Sequence, residues 1–152
     1  MEIKETPDMW ALCAKRRLRI PDIKQAAAEY VPLIEKQIAK SGLKVDGPWL
    51  FISQNLPKDS KTSFDWEICR PVRQAASYDG TMELRHLEPI MVASKVHQGS
   101  LRSIFTKGYA PLVTEIEMSR HDFSGESREV YHSWNGPGAP YHNIEIQFGL
   151  SR

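Results

Sequence analysis

The segment Arg128-Glu129-Val130-Tyr131 sets an acid and a phenol two residues apart. In an extended strand that spacing puts Glu129 and Tyr131 on one face and Val130 on the other. Trp49 and Phe51 repeat the arrangement with two rings. A carboxylate beside aromatic faces suits a pocket for a flat, cationic or polarised guest. Two further strand acids, Glu67 and Glu145, join the ligand-binding candidates. His97 and Trp134 complete the set, although His97 reads better as a contact at a helix start or loop.

Other chemistries find no support. The chain has no Gly-x-Ser-x-Gly elbow, no His-Glu-x-x-His and no Walker loop. Its five histidines, His86, His97, His121, His132 and His142, lack metal-ligand spacing. Cys13 and Cys69 form no Cys-x-x-Cys motif and are expected to be reduced structural thiols. No metal and no cofactor is therefore expected. The run Gly136-Pro137-Gly138 sits between two strands rather than before a helix, so it is not read as a phosphate cradle.

The elements that must position these residues come from a repeat. Met1-Glu-Ile-Lys returns as Met82-Glu-Leu-Arg, and Met9-Trp10-Ala11 as Met91-Val92-Ala93. Tyr30-Val31-Pro32-Leu33 returns as Tyr109-Ala110-Pro111-Leu112, and Trp66-Glu67-Ile68 as Ile144-Glu145-Ile146. The matches keep their order at an offset of about eighty residues. Repeat one covers about 1–73 and repeat two about 82–152, joined by a short linker near 73–81. Each half begins with an extended stretch, Trp10 to Ala14 and Ile90 to Val96. A helical stretch follows, marked by Ile23, Ala27, Tyr30, Ile34 and Ile38, and by Leu101, Ile104, Phe105, Leu112 and Ile116. Pro32 and Pro111 predict a kink, or a short helix followed by a new one with proline in its first turn. Gly42 is a natural stop. Two strands close each half: Trp49 to Ser53 with Phe64 to Val72, and Glu129 to Trp134 with His142 to Leu150. The fold class is therefore α+β, a tandem pair of β-α-β-β units forming one domain over 1–152.

Alternation assigns faces. Ile144, Ile146 and Phe148 should pack under helices, as should Trp66, Ile68 and Val72. If Leu50, Ile52 and Val130 do the same, then Trp49, Phe51, Glu129 and Tyr131 point away from the helices, with Glu67 and Glu145. Alternation alone leaves two uses for such a face, a ligand pocket or a homodimer seam.

Net charge is +1 with histidine neutral, which gives no electrostatic reason for a nucleic-acid or membrane partner. The one basic cluster, Lys15 to Arg19, reads as a solvated strand end or loop. No signal peptide and no apolar run of about 20 residues is present, so a cytoplasmic location is expected.

With its tandem layout, the segment Val96-His97-Gln98-Gly99-Ser100 and the strand Arg128-Glu129-Val130-Tyr131, the whole chain resembles the gyrase-inhibitor-like (GyrI-like) domain. That is the effector-binding domain also fused to AraC-type and MerR-type multidrug-responsive regulators. The resemblance implies pseudo-twofold halves, antiparallel sheets with helices on one face, and a ligand cleft between the halves. It implies that Glu129 meets lipophilic cations in an aromatic pocket with Tyr131, while Trp49 and Phe51 line the opposite wall. The ending Glu145-Ile-Gln-Phe-Gly-Leu departs from the family's usual strand closing with Pro-Val. Two other activities follow from the resemblance: hydrolysis of strained electrophilic natural products, with Glu129 as general base on water and Tyr131 as a polarising donor, and inhibition of a larger enzyme such as gyrase. The repeat starts at Met1, so no helix-turn-helix and no direct DNA contact is expected.

Overall fold

A computed structural model describes residues 1–73, 77–136 and 139–151. Part of the expected linker and the centre of the Gly136-Pro137-Gly138 run lie outside the described residues. The chain forms β1 (Glu2–Glu5), β2 (Met9–Leu18), α1 (Ile23–Ser41), β3 (Leu50–Gln54) and β4 (Phe64–Val72). The second half follows with β5 (Glu83–Leu87), β6 (Met91–Gly99), α2 (Ala110–Glu117), β7 (Phe123–Ser133) and β8 (His142–Leu150). All eight strands join one antiparallel sheet in the order β1-β6-β8-β7-β3-β4-β2-β5.

Exchanging each strand for its counterpart in the other half leaves that order unchanged when read from the opposite edge. The tandem α+β architecture expected from the repeat is thus present. It is one continuous sheet rather than two, with β3 and β7 paired at its centre. The repeat also contains two strands that the punctuation did not mark. Met1-Glu-Ile-Lys and Met82-Glu-Leu-Arg contribute to β1 and β5, and these cross over. β1 pairs with β6 of the second half, and β5 with β2 of the first.

The helices cover one face. Ile34 and Ile38 of α1 pack with Leu12, Trp66 and Ile68. Leu112 and Ile116 of α2 pack with Ala93, Ile144 and Ile146. A kink or break at Pro32 was expected, yet α1 runs unbroken through it to Gly42, which takes the left-handed conformation at φ 68°. Pro32 is exposed, so the hydrogen bond it removes frees a carbonyl that water can reach. In the second half, a 3₁₀ turn at Leu101–Ser103 and a π-helical turn at Ile104–Tyr109 precede α2, whose first turn holds Pro111.

The opposite face has no helix over it, but it is not an ordinary solvated face. Ala11, Cys13, Leu50, Ile52, Cys69 and Leu87 form a buried cluster there. Glu67, Arg128, Glu145 and Gln147 are buried beside them. No helix among the described residues is long and apolar enough to cross a membrane.

Gly108 sets how closely the π-helical turn approaches the sheet. A Cβ there would stand 2.6 Å from Ile146 Cδ1 and 3.3 Å from His97 Cβ. Ile146 is fully buried and His97 nearly so, so neither has room to yield. Gly108→Ala should cost about 1–3 kcal/mol by overpacking, read as a lowered denaturation midpoint with an unchanged denaturant slope. A midpoint equal to that of wild type would show that the turn can lift without penalty.

Candidate functional site

The site lies on the β3–β7 seam, where the two halves meet. Phe51 of β3 pairs directly with Glu129 of β7, and Leu50 pairs with Val130. Directly opposed residues in an antiparallel pair share a face. Phe51 opposes both Ile68 and Glu129, and Glu129 opposes Ile146. The repeat makes Phe51 and Glu129 counterparts, because they oppose the equivalent residues Ile68 and Ile146. The pseudo-twofold axis thus passes between a ring and an acid, and one position in the repeat has two chemistries.

This corrects the expected faces. Trp49, Phe51, Glu129 and Tyr131 do share a side, but it is the helix side. Leu50, Ile52 and Val130 belong to the other face, in the cluster around Cys13 and Cys69. Binary patterning fails here because both faces of the central strands are sheltered. The more uniformly apolar side then need not be the side under the helices.

Glu129 enters the gap between the helical layers of the two halves rather than either core. A hollow of about 30 Å³ lies beside it, lined in part by Ile20 and Ile23 from the first half and Phe105 from the second. Phe51, Leu56 and Trp66 contribute to its walls. The Glu129 carboxylate accepts hydrogen bonds from the hydroxyls of Tyr109 and Tyr131, the latter at 2.5 Å. Burial, then the negative charge of Glu129, pushes both phenols well above their ordinary 10.0, so both remain donors. Among the described residues no lysine, arginine or histidine forms an ion pair with Glu129. Among the described residues, the acid's side-chain hydrogen bonds come from two hydroxyls alone.

Rings continue the site in both directions. Phe51 sits 5.1 Å from Trp66 and 4.8 Å from Tyr131, and Tyr131 sits 5.7 Å from Trp134. Trp134 in turn stacks on His142 at 4.4 Å. Trp66 is buried with its indole Nε1 unpartnered, a donor beside the hollow. Trp49 stays on this face but is occupied by Arg70, whose guanidinium lies 4.9 Å above its ring.

Three expected site residues go elsewhere. Glu67 and Glu145 project from the opposite face, as alternation placed them, and so cannot join Glu129 on the helix side. His97 is buried beneath the π-helical turn, where its Nε2 donates to the Ser100 carbonyl at 2.9 Å. This is the helix-start contact that its position suggested. Tyr109, Phe105 and Trp66 were not among the expected site residues. Tyr109 carried a signal, its match to Tyr30 in the repeat, but nothing in that match indicated a carboxylate partner.

The arrangement is one eight-stranded antiparallel sheet with an acid at its pseudo-twofold seam. No family model matches the chain, and no curated protein does. Solved structures do. The C-terminal domain of EcmrR aligns over 99% of this chain and 96% of its own, with TM-score 0.79 and 19% identity. In the EcmrR–DNA complex the chain aligns at TM-score 0.78 and 19% identity over 98% of its length, spanning only 56% of the EcmrR chain. SAV2435, solved bound to tetraphenylphosphonium, aligns over 99% of this chain and 93% of its own, at TM-score 0.64 and 12% identity. A hydrolase from Listeria innocua aligns over 99% and 91%, at TM-score 0.64 and 14% identity. The chain shares the fold of these proteins.

Proposed function

We propose that this protein binds small lipophilic aromatic cations between its halves, with Glu129 as the charge partner. The observation that carries this reading is a carboxylate, walled by Phe51, Trp66 and Phe105, that has two hydroxyl donors and no cation. A sheltered charge without a counter-charge is costly. A cationic guest removes that cost and gains about 2 kcal/mol more by lying on desolvated ring faces. Tyr109 and Tyr131 fix the carboxylate for that encounter, and the ring series from Trp66 to Trp134 offers contact area. The SAV2435 complex with tetraphenylphosphonium adds support from a protein of the same fold.

The hollow of about 30 Å³ is far smaller than the ~300–1,000 Å³ of ordinary ligand pockets. Binding therefore includes an opening step. Phe105 is half-exposed and stands on the π-helical turn, so it is the side chain that swings out at least cost. Trp49 joins the wall only if Arg70 leaves it.

A titration followed by tryptophan fluorescence tests the reading. Tetraphenylphosphonium should bind at least about tenfold more tightly than neutral triphenylphosphine oxide, a difference of ~1.4 kcal/mol. Equal affinities would remove the charge pairing from the proposal.

One observation favours a second reading, hydrolysis of a strained electrophile. The hollow beside Glu129 has about the volume of a single water. Glu129 would take a proton from that water as it attacks, and the proton would then pass to the heteroatom released by ring opening. Product in excess of one equivalent per protein distinguishes this from stoichiometric capture.

A further inference from the structure

The face opposite Glu129 carries a second cluster. Cys69 and Glu67 are two residues apart on β4 and share that face, and Cys13 of β2 directly opposes Cys69. The two Sγ atoms are 2.9 Å apart, and both thiols are free and buried. The two Sγ atoms and one Glu67 carboxylate oxygen all lie within 4.8 Å of one another. Glu67 is only 6% exposed, and its Oε2 has no hydrogen-bond partner.

The pseudo-twofold supplies an internal comparison. Glu145 is the counterpart of Glu67, Gln147 of Cys69, and Ser94 of Cys13, by their matching registers. Each buried glutamate receives one cation from a crossed-over strand: Lys4 of β1 for Glu145, and Arg85 of β5 for Glu67. In the second half the Gln147 amide also donates to Glu145 Oε2 at 2.8 Å. The first half has a thiol in place of that amide, and Glu67 Oε2 has no hydrogen-bond partner, whereas in the second half His132 Nε2 stands 2.8 Å from the corresponding Glu145 Oε1. One half has a closed polar network, and the other has two soft ligands and an orphan oxygen.

We propose that Cys13, Cys69 and Glu67 form a binding site for one soft or borderline divalent cation of the zinc and cadmium type. Thiolates select such ions over hard ones. Three protein ligands with an open fourth position are an ordinary arrangement for zinc. Charge balance favours a divalent ion. Arg85 neutralises Glu67, and two thiolates neutralise the metal, so the occupied site is neutral in buried surroundings that include Ala11, Leu50 and Leu87. Binding breaks both S–H bonds and releases two protons to the buffer. Without metal, burial and then the adjoining Cys13 push the Cys69 thiol well above its ordinary 9.0. Metal-bound sulfurs stand farther apart than 2.9 Å, so occupancy parts the pair slightly. A hollow of about 380 Å³, lined in part by Lys15, Glu67 and Arg85, brings solvent as far as Glu67.

Cadmium chloride titrated into the full chain, reduced with a non-thiol reductant, tests the site. The expected result is a thiolate-to-cadmium charge-transfer band that saturates at one equivalent, with near-ultraviolet circular dichroism retained. Both cysteines should also be protected from N-ethylmaleimide. Cys69→Ser should abolish the band, and Glu67→Gln should weaken binding by at least about tenfold, the lower range seen for lost metal-site partners. Glu129→Gln, on the other face, should leave the titration unchanged, which keeps this test independent of the guest site. A folded, reduced wild-type protein that shows no band would overturn the proposal. So would a band that grows only as the tertiary signal is lost, or one that survives in Cys69→Ser. The wild-type and alkylation results stand alone if a variant does not fold.

Discussion

Glu129→Gln should reduce the affinity for tetraphenylphosphonium by about ten- to a hundredfold and leave triphenylphosphine oxide nearly unaffected. The substitution preserves shape and removes charge. Hydrogen bonds and contacts to a charged group in a sheltered site are worth about 1.5–3 kcal/mol, which sets that range. The loss should appear for every aromatic cation and scale little with guest shape, because the ring walls from Phe51 and Trp66 remain. A second readout does not depend on any guest. Glu129 contributes to the upward displacement of both phenols, after burial. In Glu129→Gln the ultraviolet titration of Tyr109 and Tyr131 should therefore begin at lower pH, while burial still holds both above 10. Unchanged cation affinity together with an unchanged tyrosine titration would mean that Glu129 is not the electrostatic centre of this seam.

The second large effect concerns Glu145 and acid stability. Burial alone would raise its carboxyl. The Gln147 amide, the Lys4 ammonium at 2.6 Å and His132 at 2.8 Å outweigh burial and hold it at about 2 against an ordinary 4.5. A carboxyl whose folded value is depressed stabilises the fold above its unfolded value and loses that contribution as pH falls toward the folded one. The window is thus from about 4.5 down to about 2. Lys4 is about one-third exposed and His132 more so, so screening reduces the gain to about 1–2 kcal/mol. Urea midpoints should fall across that window in wild type and fall less in Glu145→Gln, which should also be less stable at pH 7. Lys4→Met should shift the acid-sensitive range upward, because the buried carboxylate then lacks its strongest charge partner. Parallel acid limbs in wild type and Glu145→Gln would contradict this account.

The sequence carried much of the fold and about half of the site. Phe64 to Val72 and His142 to Leu150 emerged with their observed bounds because polar or turn-rich stretches flank both and their helix-side residues are apolar. The inner strands were harder. Leu50, Ile52 and Val130 look more like core than Phe51 and Glu129 do, and a rule that buries only one face then inverts the assignment. That Glu129, Tyr131, Trp49 and Phe51 lie on one side was legible from spacing alone. Which side it is depends on tertiary shelter, which period-two alternation does not encode. The pairing of Glu129 with Tyr109 depends on a π-helical turn, and no residue pattern distinguishes that turn from ordinary helix. The Cys13–Cys69 approach spans 56 residues and depends on strand register, so no local motif could announce it.

The crossing of β1 and β5 bears on how the chain reaches its native state. Residues 2–5 find their partners at 91–94, so β1 waits for the second half before it can pair. Closing such distant contacts ahead of any reward slows folding relative to helical proteins of similar size. Until then, the edges of β2 and β6 are exposed strands with unpaired backbone groups. Two nascent chains held close together could satisfy those edges with each other's β5 and β1, giving an entwined pair with the same hydrogen bonds as the monomer.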